Sequence, residues 1–228
     1  MSNPAVKRGR PPRGSTTLTR DAVVDAALAV IDKGGVGAVG MRAVARTLGV
    51  DPKSLYNHVA DLDDVLDALA ERLLGSIEIP TATGDLRADL RAIAHAFRDR
   101  ALVHPHAASL VLTRQLSSLE GLAPTQATLS VLRAAGFPPD EATHLLRVLL
   151  GTLIGLLLRE VDAGPTYGSS DPAAIAQRTA ALEASGLPEV AAAASHLARF
   201  DGAEEFDFAV GLAVDAVSAR ARAASPGS

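Results

Sequence analysis

A chain of 228 residues, 48% of them hydrophobic, is long enough for one domain or two around a real core. The absence of cysteine excludes disulfides, thiol nucleophiles and thiolate metal sites, and six scattered histidines leave little material for structural zinc. A net charge of −4 argues against a nucleic-acid partner only until its distribution is read. Lys7, Arg8, Arg10, Arg13 and Arg20 put +5 and no acid into residues 1–20, while the remainder sets 17 basic against 26 acidic residues, or −9.

Residues 1–19 are rich in Pro, Gly, Ser, Thr and cations and nearly devoid of large apolar side chains, so a disordered arm is expected. No apolar h-region follows it, and no run reaches the ~18 apolar residues of a bilayer span. A cytoplasmic, nucleoid-associated chain with no membrane contact is therefore expected. From 20 to 33, Val23, Ala26, Ala27, Val30 and Ile31 recur at helical spacing, and Gly34-Gly35 closes the helix. Met41, Val44, Ala45 and Leu48 predict a second, short helix ending at Gly49. In "GVDPKSLYNHV", Asp51 is the expected N-cap, Pro52 the first helical residue, and Leu55 with Val59 the buried i, i+4 pair. Two short helices joined by a glycine turn describe a helix-turn-helix, whose second helix enters the DNA major groove.

Beyond Ala60 the pattern stays helical. Asp63 and Asp64 suit the positive end of a helix covering "DLDDVLDALAERLL". Further helices are expected over 85–103, 105–117, 124–135, 139–161, 171–185, 188–199 and 203–224, with "DAGPTYGSSDPA" as a mobile loop. The stretches "LLRVLLGTLIGLLL" and "FDFAVGLAVDAVSA" are too apolar for a monomer's surface. They are either the core of one domain or the faces of a homodimeric helix bundle.

The segment 20–69 resembles the N-terminal DNA-binding domain of the tetracycline-repressor (TetR) family. The most specific part is "RAVARTLGVDPKSLYNHV", and "EFDFAVGLAVDAV" sits where the tetracycline-repressor branch has its last dimer helix. The resemblance implies an all-α fold: a disordered basic arm (1–19), an N-terminal three-helix helix-turn-helix domain (20–62) and a C-terminal helical domain (63–228) that dimerises and binds a small-molecule effector. It also implies that Arg42 contacts a base, and that Lys53, Tyr56 and His58 touch bases or phosphates. Two positions depart from the family pattern. Leu62 stands where a phosphate-contacting Lys is common, and Gly40-Met41 replaces a hydroxyl residue at the start of helix two, removing a phosphate donor and a strong N-cap.

Each of these side chains also has a structural reading. Arg42 can bind guanine O6 and N7 together or be an ordinary surface arginine, and Lys53 can meet a base or a phosphate. Tyr56 and His58 serve either DNA or a helix interface, and Ser54 either DNA or helix initiation. Arg8-Gly9-Arg10-Pro11 forms the core of an AT-hook-like element, with Arg8 and Arg10 either inserted in a narrow minor groove or holding phosphates. In the C-terminal part, His95, His104, Arg114, Gln115, His144 and Arg147, with Glu160, either line a polar-tipped effector pocket or form buried pairs. The tetracycline-repressor branch has a His shortly before a Thr-Arg pair that binds the drug's magnesium. Here Val111-Leu112 precedes Thr113-Arg114, which puts that site in doubt.

An enzyme built around His104, His106 and Glu160 would lack a nucleophile, a phosphate loop and a complete metal set, so neither catalysis nor a cofactor or metal is expected. The expected function is a ligand-responsive transcriptional regulator, a repressor that binds a palindromic double-stranded operator as a homodimer and is released by a small-molecule effector. The alternative is an architectural DNA-binding protein without an effector.

Overall fold

The computed structural model describes residues 18–114, 119–163 and 168–224. Twelve α-helices account for most of them, and the one β-bridge, Ser169 to Arg199, belongs to no strand among the described residues. The first helix, α1 (Arg20–Gly34), starts where Thr19 Oγ1 accepts from the Ala22 N–H at 3.1 Å and buries Val23, Val24, Ala27 and Ile31. α2 (Met41–Leu48) has no side-chain cap, as Gly40 foretold. It ends at Gly49, whose φ of 68° is the left-handed conformation that only glycine adopts cheaply.

α3 (Pro52–Leu55) starts at Asp51, whose carboxylate accepts from the Lys53 N–H at 2.8 Å. It is shorter than the sequence implied. Residues 56–58 turn out of the helix, and Ala60 N–H donates to the Asp64 carboxylate at 2.8 Å, drawing the chain toward the next helix. The Val59 N–H still reaches the Leu55 carbonyl at 3.1 Å, so the pair buries together as expected.

α4 (Leu62–Gly75) is capped by Asp61 and tied back to α1 by the bidentate Arg20–Asp64 pair, at 2.8 and 2.6 Å. The Arg20 guanidinium, with the Ala60 N–H, holds the Asp64 carboxyl below the usual carboxylate range. Arg72 adds bonds to Asp21, at 2.8 Å, and Asp25. These links fix the angle at which the first three helices sit on α4.

The remaining elements are α5 (Leu86–Val103), α6 (Pro105–Thr113), α7 (Ala123–Ala134), α8 (Pro139–Leu158), α9 (Pro172–Glu183), α10 (Pro188–Ala192), α11 (Ala194–Ala198) and α12 (Gly202–Ala224). Four sequence expectations change. The 105–117 helix ends at Thr113, with Arg114 already extended. The 139–161 helix passes into a π turn at Arg159–Ala163. The 188–199 helix breaks at Ala193, which lets Ala194 and Ala198 face inward. The end of the expected loop is pinned: the Ser169 N–H donates to Ala198 O at 2.9 Å and the Phe200 N–H to Ser169 O at 3.0 Å. There Gly168, at φ 103°, lies so close to Arg199 that a Cβ would stand 2.7 Å from its carbonyl oxygen.

Two buried clusters result. One joins α1, α2, α3 and α4 as far as Leu73 with Ala107 and Leu110 of α6. The other begins at Leu74 and Ile77 and takes in α5, α7, α8 and α12. α4 and α6 therefore contribute to both clusters, and a shift of either is felt in each.

Asp89 is buried at the start of α5. It accepts from the Thr83 N–H and hydroxyl, both at 2.8 Å, and from the Gly84 N–H at 3.0 Å, which fastens the α4–α5 connection. Those bonds, Thr83 first, hold its carboxyl below the ordinary range. A depressed folded-state pKa gives stability that is complete above the unfolded value, about 3.9, and lost as pH falls through the folded value. Asp89→Asn is thus expected to lower the urea midpoint at pH 7 and to flatten its fall between pH 5 and pH 3. Parallel pH curves for the two proteins would contradict this role.

Candidate DNA-binding face and ligand cavity

The short α2–turn–α3 unit is held by Val44, Ala45, Leu55 and Val59, all buried, and this leaves a polar outer surface. Arg42, on the first turn of α2, is exposed. Arg46, one helical turn later, is exposed on the same face and was missed in the sequence, where nothing distinguished it from a solvated charge. Lys53 is exposed on α3, and Tyr56 keeps 53% of its surface in solvent, which disfavours a packing role within the protomer. His58 is half-buried beside Asn57, which is exposed.

Ser54 Oγ donates to the Asp51 carbonyl, so its hydroxyl hydrogen is used in starting the helix. Leu62 is half-buried and packs against the first cluster. Arg8 and Arg10 lie outside the described residues.

An exposed arginine and lysine at the mouths of two helices joined at a tight turn match what major-groove readout needs: a planar fork for guanine and a point charge for phosphate. Arg42→Ala is expected to cost about 1–3 kcal/mol at one base position of the preferred site and to relax preference there. If Lys53 is a phosphate contact, Lys53→Ala is expected to weaken all sequences alike and to lower the slope of log K against log salt by about 0.9. Competition binding with single-base variants at several salt concentrations separates the two. An Arg42→Ala loss spread evenly over sequences would contradict the base-reading role.

Behind this face, α4, α5, α6, α7, α8 and α12 line a partly open cavity of about 300 Å³. Its wall is made largely of residues such as Leu74, Ile93, Phe97, Leu146, Leu153 and Val210. At one end stands Arg114. Its Nε donates to Asp67 at 2.7 Å, and its Nη2 to the Asp63 carboxylate at 3.2 Å. Burial opposes its charge, but Asp67 and Asp63 more than offset that and hold its pKa above the ordinary value. One side chain thus touches both the cavity and α4, the helix on which the α2–turn–α3 unit sits.

Of the other residues expected at an effector pocket, none lines this cavity among those described. His95 lies 3.2 Å from Asp207 and edge-on to Phe206. His144 and Arg147 are exposed on α8, and Gln115 lies outside the described residues. His104 borders a separate space of about 20 Å³. Its Nδ1 is 3.0 Å from the Asp32 carboxylate, while His106 Nδ1 is 3.2 Å from the Asp32 carbonyl oxygen. The His104-Pro105-His106 pair therefore clasps the C-terminal end of α1. Glu160 takes the buried-pair reading, with Arg98 as its partner.

Residues 80–219 match the family model of the tetracyclin repressor-like C-terminal domain, and residues 23–69 match that of the bacterial regulatory proteins of the tetR family. The chain belongs to the TetR family. Among curated relatives, an HTH-type transcriptional regulator of Saccharopolyspora erythraea is 38% identical over 56% of this chain and 56% of its own length. The HTH-type transcriptional repressor DrrR1 of Streptomyces coeruleorubidus is 30% identical over 64% of this chain and 55% of its own. The match to each thus spans a little over half of the relative's length. The class A tetracycline repressor protein from transposon 1721 of Escherichia coli is 30% identical over 69% of this chain and 76% of its own. The fold is also that of ActR from Streptomyces coelicolor, solved in complex with actinorhodin, with a TM-score of 0.78 and 23% identity over 90% of this chain and 98% of that one.

Proposed function

We propose that this TetR-family chain is a ligand-responsive transcriptional regulator, a repressor that binds a palindromic operator as a homodimer and leaves it when a small molecule fills the cavity. The observation that carries the reading is Arg114, which joins the cavity wall to Asp63 and Asp67 on α4. Residues 20–62 then serve as the DNA-binding domain, and 63–228 as the effector-binding and dimerisation domain. A ligand that prefers a different placement of α6 moves Arg114 and α4 with it. It changes the spacing of two recognition helices that must stand about 34–36 Å apart, and a coupling of about 1–3 kcal/mol suffices for regulation. ActR with actinorhodin is the precedent for ligand binding on this fold. The architectural alternative leaves the cavity without a use.

Dimerisation is supported by two helices that lack cover in the protomer. On α8, Val148 is 62% exposed, and Gly151 and Gly155 have open space where a side chain would be. On α12, Phe208 and Leu212, one turn apart, are 67% and 58% exposed. Small and large residues at helical spacing suit close packing against the same helices of a second copy. By length and composition the stretch 139–161 also qualifies as a bilayer span, although its apolar run is shorter and is interrupted by Arg147. A bilayer would have to accommodate Arg147, which a helix bundle leaves at its solvated edge.

The test is fluorescence anisotropy on the DNA upstream of the protein's own gene, scanned for palindromes. Saturable binding of one dimer per palindrome is expected, at least about a thousandfold tighter than to scrambled DNA. Equal affinity for both would favour the architectural alternative.

A further inference from the structure

The lining of the cavity restricts what can fill it. Four polar residues are among its described lining: Arg114, Thr125, Thr128 and Thr152. Two of them have no hydroxyl hydrogen to offer, since Thr128 Oγ1 donates to Pro124 O at 2.9 Å and Thr152 Oγ1 to Val148 O at 3.0 Å. Each presents a methyl group and an acceptor lone pair instead. Arg114 is the cation of this lining, and Asp63 and Asp67 already face it, so its corner sets two carboxylates against one guanidinium. No histidine or carboxylate is among the described lining residues, and no cluster of three possible metal ligands occurs among the described residues.

An anionic ligand would have to leave water for an aliphatic wall and then compete with two carboxylates for one guanidinium. Among the described lining residues a metal chelate would find no ligand atoms from His, Asp or Glu. A neutral molecule meets neither obstacle. Burial of its apolar surface drives it from water, and a volume of about 300 Å³ is at the small end of ligand sites.

We propose that the effector is a neutral, largely apolar, compact molecule taken up without a metal ion, its single polar end, a hydroxyl or carbonyl, lying against Arg114 and Thr125. This rests on the ligand-responsive reading above and narrows it: magnesium-chelated tetracycline and fatty-acid anions fall outside the class.

The experiment titrates the full chain with 1-N-phenylnaphthylamine, a neutral apolar fluorophore, in EDTA and in magnesium chloride. Tetracycline with magnesium, and decanoate as a displacer, are run in parallel. The fluorophore is expected to bind with the same affinity in both buffers. Ala94→Leu and Ala213→Phe, which fill the cavity from α5 and α12, should each weaken it about tenfold, with circular dichroism and a cooperative urea transition confirming that each variant is folded. Decanoate should not displace it, and tetracycline should not bind. No fluorophore binding, binding indifferent to both cavity-filling variants, displacement by decanoate, or magnesium-dependent tetracycline binding would each overturn the proposed class. Operator binding is scored separately. A chain that binds the fluorophore but no palindrome overturns the regulatory reading and leaves the cavity's chemistry standing, and the reverse result does the opposite.

Discussion

Replacing Arg114 with methionine is expected to leave operator affinity within about threefold of the parent while removing most of the ligand's effect on it. The substitution keeps an apolar stem in the cavity wall and deletes the guanidinium that reaches Asp67 at 2.7 Å and Asp63 at 3.2 Å. Asp63 remains 80% exposed and rehydrates easily, so the DNA-binding unit, held to α4 by Arg20 and Arg72, keeps its seat. What is lost is the bond through which a change in α6 reaches α4. If coupling is about 1–3 kcal/mol, a ligand that weakens DNA binding about 5- to 150-fold in the parent should weaken it less than about threefold in the variant. Anisotropy titrations of the operator with and without a releasing ligand measure both quantities. A variant that responds as fully as the parent would show that the signal reaches α4 by another route, such as the His104–Asp32 contact.

The largest loss of stability is expected from Glu160→Ala. Glu160 sits in the π turn after α8, where Arg98 donates Nε to Oε2 at 3.0 Å and Nη2 to Oε1, and both side chains are 16% exposed. The same guanidinium lies 5.3 Å from the Phe206 ring, and Gly202 approaches the carboxylate so closely that a Cβ would stand 2.9 Å from it. The pair thus clamps α5 to the junction of α8 and α12. Removing the carboxylate leaves the Arg98 charge mostly shielded from water and answered only by the more distant Asp99 and Asp207, a defect worth about 3 kcal/mol when, as here, some solvent still reaches the group. For a chain of this size that corresponds to a Tm lower by roughly 6–12 °C. Glu160→Gln, which keeps the shape and one acceptor, should lose about half as much. Urea denaturation of the two variants gives the comparison, and equal losses would mean that shape rather than charge holds the junction.

The DNA-binding half was largely legible because its signals are local. Gly35, Gly49 and the Asp51-Pro52 pair act within a few residues of themselves, and each ends or starts a helix where the pattern placed it, whereas the Thr19 cap lay in the stretch expected to be a disordered arm. Tertiary pull shortened α3, where the Asp64 carboxylate captures the Ala60 N–H. The cavity was not legible, because its wall draws on six helices between Leu74 and Val214, and spacing along one helix cannot say which leucines of another it meets. Polar residues misled for the same reason. His95, His104 and Glu160 look like pocket tips in the sequence, yet their partners Asp207, Asp32 and Arg98 lie 112, 72 and 62 positions away along the chain. Arg114 was legible as a candidate, but its two carboxylate partners, which make it a link to α4, were not.

The most direct measurement is the distance between the two recognition helices. The chain contains no cysteine, so Asn57→Cys, at an exposed position beside the DNA face, carries one spin label per protomer. Bound to its operator, the labelled dimer should give a narrow distribution consistent with helices about 34–36 Å apart, or a multiple of that spacing. With a saturating ligand that releases the DNA, the distribution should move to a different spacing. An absence of dipolar coupling on the operator, or a distance unchanged by the ligand that releases it, would contradict a dimer whose grip on DNA is set by what fills the cavity.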